Sequence, residues 1–146
     1  MSPAFTLEPA QLADLEALVA IRIDAMRESL TRIGRFDPDR ARERFASGFD
    51  PRATRHISCG GERVGFVVVK QQQSGLLLDH LYLRPSAQGQ GLGSAVLNAV
   101  IAEAAARGQV LFVGALRDSA ANRFYERHGF QKTGESEWDV YYQRSP

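Results

Sequence analysis

Leu12, Leu15, Leu18, Val19 and Met26 recur at a spacing near 3.6, which predicts a first helix over residues 9–30, closed by Gly34. Asp37-Pro38 is a helix start, with Asp37 as N-cap and Pro38 at the first helical position; that helix runs to about residue 47 and stops at Gly48. The pattern then changes. Residues 55–59 and 63–70 read as strands around a Gly60-Gly61 hairpin turn, and residues 71–75 turn the chain into a third strand over 76–83. An alanine-rich helix follows over 94–107 with Gly108 as C-cap, and the apolar run 110–116 reads as a central strand. Asp118 or Ser119 caps a short helix ending at Arg127 and Gly129, and 130–136 with 140–144 form a last strand pair. Phe5-Thr6-Leu7 is a short opening strand. The order β-α-α-β-β-β-α-β-α-β-β predicts one α/β domain with a mixed sheet, an antiparallel meander followed by a crossover helix.

Composition narrows the function classes. A chain of 146 residues, 44% hydrophobic and 24% charged, is long enough for one cored domain, taken as residues 1–146. The net charge of +1 gives no global attraction to nucleic acid or to an anionic membrane. No apolar run approaches the ~20 residues of a spanning helix, and the first residues lack a signal-peptide pattern. Cys59 is the single cysteine, so neither an intramolecular disulfide nor a cysteine-based metal site is expected. A cytoplasmic location is the default.

The chemistry concentrates at Gln88-Gly89-Gln90-Gly91-Leu92-Gly93, followed by Ser94. Glycines leave backbone amides unshielded, and a helix N-terminus aims free N–H groups at whatever fills the loop, so the stretch predicts an anion site. No Lys-Ser/Thr follows the glycines, which disfavours a P-loop. Ser94 at the third glycine position and the Pro85 lead-in disfavour a dinucleotide fold.

Gln88, Gly91 and Gly93 form Gln-x-x-Gly-x-Gly, which resembles the acyl-CoA pyrophosphate loop of the GNAT superfamily of N-acetyltransferases. Leu81-Tyr82-Leu83-Arg84-Pro85 is similar to that family's lead-in strand. Asn122 to Phe130 resembles its second signature, Phe-Tyr-Glu-x-x-Gly-Phe, one helix and one strand later. The resemblance implies a mixed, mostly antiparallel sheet of about six to seven strands with about four helices. It also implies acetyl-CoA as co-substrate, no metal, and transfer to a primary amine of a small molecule or peptide. Residues 88–94 (Gln88, Gly89, Gln90, Gly91, Leu92, Gly93, Ser94) would hold the pyrophosphate, and Leu81, Tyr82 and Leu83 the pantetheine strand. Tyr125 would be the general acid. For the base, Asp79 lies on the lead-in strand, on the face of Leu77 and Leu81, and His80 on the opposite face; both stay open. Asp118 stands where many relatives carry a pantetheine-contacting Asn; Asn122, one turn before Tyr125, would replace that contact or act as a cap. Arg22, Met26, Glu28, Arg32, Arg35 and Asp37 lie on the acceptor side, where charged helix residues are expected to form a solvated face. A catalytically silent acyl-CoA sensor is the competing function, and edge strands leave a homodimer open.

Overall fold

The computed structural model describes residues 4–32, 34 and 37–146. Among the described residues seven strands pair in the order β1-β2-β3-β4-β5-β7-β6. They are β1 (Thr6–Pro9), β2 (Thr54–Cys59), β3 (Glu62–Gln72), β4 (Gly75–Leu83), β5 (Leu111–Leu116), β6 (Gln131–Glu135) and β7 (Asp139–Arg144). The helices are α1 (Leu15–Arg32), α2 (Pro38–Ser47), α3 (Leu92–Ala106) and α4 (Ala121–Arg127). The mixed, mostly antiparallel sheet and the four helices agree with the expected fold class. By contact the chain forms two compact units, residues 1–68 with 80–95, and 69–79 with 96–146.

In the first unit, β1 and β2 pair antiparallel, as do β2 and β3. The first helix begins at Leu15, later than the periodicity predicts. Ala10 N–H is bonded to Thr54 O at 2.9 Å, which keeps the chain beside the sheet. A single 3-10 turn, Leu12–Asp14, then intervenes. The second helix matches its prediction: Asp37 Oδ1 accepts from Arg40 N–H at 3.2 Å, and Pro38 opens the helix. Leu18, Val19 and Ile21 of α1, Phe45 of α2 and Phe66 and Val68 of β3 make one buried cluster. Each such side chain contributes roughly 1.5–3 kcal/mol by leaving water. That burial, rather than the exposed Arg42–Glu16 ion pair, holds the two helices.

The turn expected over 71–75 is shorter than predicted, and β3 and β4 leave only Gln73 and Ser74 between them. The Gln71 amide donates to Gln109 Oε1 at 2.8 Å, so the polar stretch extends the strand. Gly65 faces a close approach of backbones: a Cβ there would collide with Tyr82 O and with the Leu83 side chain.

In the second unit, β4 pairs parallel with β5 at Leu76↔Leu111, Leu77↔Phe112 and Leu78↔Val113. β5 pairs antiparallel with β7, and β7 with β6, so β5 is central as its apolar run predicts. Leu76, Val96, Leu97, Val100 and Leu111 are almost fully buried. Asp118 and Ser119 do not cap α4. Its N-cap is Ala120, with no side-chain bond, because Asp118 takes a left-handed conformation (φ 67°) and the turn is held from inside the helix by Asn122. Among the described residues no helix is long and apolar enough to cross a membrane.

Asp14 ties the first unit together. Its carboxylate accepts from Gln11 N–H at 2.8 Å and from Nε2 of the buried His56 at 2.9 Å, with Arg63 at 3.6 Å. The His56 hydrogen bond, then the Gln11 amide, hold the Asp14 pKa below the usual carboxylate value. A depressed carboxylate contributes stability above its unfolded pKa and loses it as pH falls through the folded value. Asp14→Asn is therefore expected to cost about 1.5–3 kcal/mol at neutral pH. The gap to wild type, read by urea unfolding, should close as pH falls below about 4. Gly65→Ala is expected to cost about 1–3 kcal/mol by overpacking. Gly134→Ala, where a Cβ meets nothing within 4 Å, serves as the control in the same melts.

Candidate active site

Backbone parity on β4 sets the first part of the site. Arg84 N–H donates to Val64 O at 2.8 Å, and Tyr82 O lies against Gly65, so residues 82 and 84 turn their polar groups to β3. Alternation then directs the N–H groups of Leu81 and Leu83 to the other edge of the strand. Leu78 is the last β4 residue in the ladder with β5. The resemblance assigns Leu81 and Leu83 to a ligand that would add itself as a strand.

The glycine loop follows through a single 3-10 turn, Pro85–Ala87. Gly89 (φ 76°) and Gly91 (φ 81°) both lie in the left-handed region, which side chains resist. Ala95 N–H bonds to Gly91 O at 3.1 Å, which makes Gly91 the N-cap of α3. The N–H groups of Leu92, Gly93 and Ser94 therefore have no acceptor within the helix. Glycine at the cap supplies no side-chain oxygen to occupy them, and they lie at the positive end of the helix dipole. The two glutamines act on the loop itself. Gln88 Nε2 donates to Leu83 O at 3.0 Å and Gln90 Nε2 to Ser86 O at 3.3 Å. Their side chains brace the cradle, and its lining is backbone.

His80 and Tyr82 sit on the helix-covered face. The His80 ring packs against Phe45 at 5.2 Å (edge-on) and against Tyr82 at 5.7 Å. Asp79 Oδ2 is 3.0 Å from Lys70 Nζ, an ion pair between β4 and β3. This pairing is not legible from the lead-in strand alone, because it depends on the hairpin register with β3.

Tyr125, on α4, is buried at 7% exposure. Its ring meets Phe130 edge-on at 5.5 Å and lies 6.3 Å from Tyr142. Asn122 is committed to the turn before the helix. Its amide donates to Leu116 O and Ser119 O, each at 3.0 Å, and its Oδ1 accepts from Tyr142 O–H at 2.8 Å. The Tyr142 phenol is held above its ordinary pKa, chiefly by burial.

Of the residues named on the acceptor side, Asp37 is a helix cap and Arg32 is exposed. Met26 is half-buried. Arg35 and the Glu28 side chain lie outside the described residues. Arg22 departs from the expected solvated face and is buried at 8% exposure. Its place on the Leu15, Leu18, Val19, Met26 stripe is the signal that points to burial. Among the described residues no cluster of His, Cys, Asp and Glu could hold a metal ion.

Residues 53–132 match the family model described as an acetyltransferase (GNAT) domain. Among solved structures, the chain is similar to the PaiA N-acetyltransferase of Thermoplasma acidophilum, solved with coenzyme A, at 14% identity and TM-score 0.80, covering 98% of this chain and 99% of that one. It is similar to an acetyltransferase of Thermus thermophilus at 21% identity and TM-score 0.75, each chain covered over 100%. It is also similar to the ribosomal-protein-S18-alanine N-acetyltransferase of Escherichia coli at 21% identity and TM-score 0.73, over 97% and 94% of the two chains. No curated protein matches at the sequence level. These likenesses agree on the fold; with more than half of its length inside the family model, the chain belongs to the GNAT acetyltransferase family.

Proposed function

We propose that this acetyltransferase moves an acetyl group from acetyl-CoA to a primary amine of a small molecule or peptide by direct attack, with Tyr125 as general acid. The observation that carries the reading is the backbone cradle. Left-handed Gly89 and Gly91 open the N-terminus of α3, and the Leu81 and Leu83 amides face the strand edge away from β3. The resident anion would be the CoA pyrophosphate, on the amides of residues 91–94. The pantetheine would pair with Leu81 and Leu83, and one of those N–H groups would polarise the thioester carbonyl. Nothing in this arrangement needs a metal.

In the step itself the amine nitrogen attacks the carbonyl carbon and the C–S bond breaks. The departing thiolate takes the phenolic proton of Tyr125, since phenols remain protonated at neutral pH. The proton shed by nitrogen goes to Asp79 or His80, directly or through water. Asp79 reaches that role only by loosening its contact with Lys70. The Escherichia coli neighbour is named for a protein alanine, which supports keeping peptide amines in the acceptor class.

Tyr125→Phe is expected to retain the thermal stabilisation given by acetyl-CoA and to lower kcat by about 10² or more. An unchanged kcat on a working amine overturns the role. Stabilisation by acetyl-CoA with no turnover on any amine by the wild type would instead mark a sensor. Gln88→Ala frees the loop from Leu83 O and should weaken CoA binding about tenfold, close to the value of one hydrogen bond. Calorimetric titration with CoA checks this, and kcat at saturating acetyl-CoA should barely move.

A further inference from the structure

Arg22 is a buried cation with most of its donors uncommitted. A guanidinium carries five N–H donors. Among the described residues, Nη1 donates to Ala41 O at 2.5 Å, and Cζ stands 6.0 Å from the centroid of the Tyr82 ring. The Nε atom is buried with no hydrogen-bond partner, and no carboxylate among the described residues pairs with the charge. A strut between α1 and α2 would need only a neutral donor to Ala41 O. A buried charge without a counter-anion is costly, and the planar guanidinium fork matches a carboxylate in two parallel hydrogen bonds. The position is informative as well. Arg22 and His80 both lie against the Tyr82 ring, and Tyr82 sits between Leu81 and Leu83, whose amides face the strand edge away from β3.

We infer that Arg22 receives a carboxylate of the acceptor, so that the amine substrate is an amino acid or another amine that carries a carboxylate. This rests on the acetyl-transfer reading above and adds the substrate class. The carboxylate takes the free Nε–H and Nη–H donors and neutralises the guanidinium. The amine of the same molecule is thereby held over the face of β4 that carries His80. Arg22 is a specificity residue in this scheme and takes no part in bond making.

The test is a turnover panel with acetyl-CoA, in which amino acids with the amine one to four carbons from the carboxylate are each compared with their carboxamides. The wild type should prefer the carboxylates in kcat/KM by about 10- to 100-fold, the range of one lost charge-assisted hydrogen bond. Arg22→Gln, which keeps a donor for Ala41 O, should erase the preference by raising KM for carboxylates. Its kcat, and its rates on carboxamides, should stay. Arg22→Lys should restore part of the preference. Equal wild-type rates on acids and carboxamides, or equal losses on both in Arg22→Gln, overturn the inference. A second measurement stands if the variants do not fold. In wild-type protein the Arg22 Nε–H resonance is followed by NMR during titration with N-acetyl amino acids, their carboxamides and inorganic phosphate. Movement with the acids alone supports the assignment. No movement with them, or movement with phosphate alone, overturns it. Absence of any stabilisation by acetyl-CoA would instead overturn the acetyl-transfer reading, and turnover confined to amines without a carboxylate would overturn only the role of Arg22.

Discussion

The hydrogen bond from Arg84 N–H to Val64 O sets the parity at the end of strand β4, where residue 84 faces β3 although Leu76, of the same parity, donates to Val110 O beside β5, and the proposed site depends on that local parity. A strand has two edges and two faces, and successive residues alternate between them. With residues 82 and 84 committed to β3, the amides of 81 and 83 go to the other edge. A slip of one residue would turn these amides into β3 and move the Tyr82 and His80 rings off the face where Phe45 and Phe66 pack. Gly65 lets β3 come close enough for this register to hold. The proposed pantetheine-pairing amides and the aromatic face thus both follow from the local parity at the end of β4.

Much of the fold could be read from local chemistry. The Asp37-Pro38 start, the Gly60-Gly61 turn and the Gly108 stop depend on residues a few positions apart, and the structure has each of them. The glycine loop was equally legible, because left-handed backbone leaves its mark directly in the sequence. The less legible features depend on distant partners. The late start of α1 comes from Ala10 bonding to Thr54, and the partner of the Arg22 guanidinium, Ala41 O, lies on another helix. The ion pair at Asp79 depends on how β3 and β4 register. Asn122 illustrates a third kind of gap. Its residue type suits a cap or a ligand contact equally, and only the Tyr142 hydroxyl and the Leu116 and Ser119 carbonyls show where its bonds go.

In the proposed scheme, donor and acceptor recognition are built from different materials. The proposed donor cradle is lined by backbone, so its chemistry would be carried by conformation. The face near Arg22 is made of side chains from three elements, α1, α2 and β4, where one substitution changes charge, shape or both. A cradle of this kind can be kept while the neighbouring face is altered, because the two share only the backbone of β4.

The clamp at Asn122 has a consequence for the timing of motion. Helix α4 has seven residues, too few to persist by its own hydrogen bonds. Its place is fixed by Phe130 packing on Tyr125 and by the Tyr142 hydroxyl reaching Asn122 from β7. The place of the Tyr125 ring therefore depends on a strand, β7, and whatever loosens the β5–β7 ladder would loosen the ring with it.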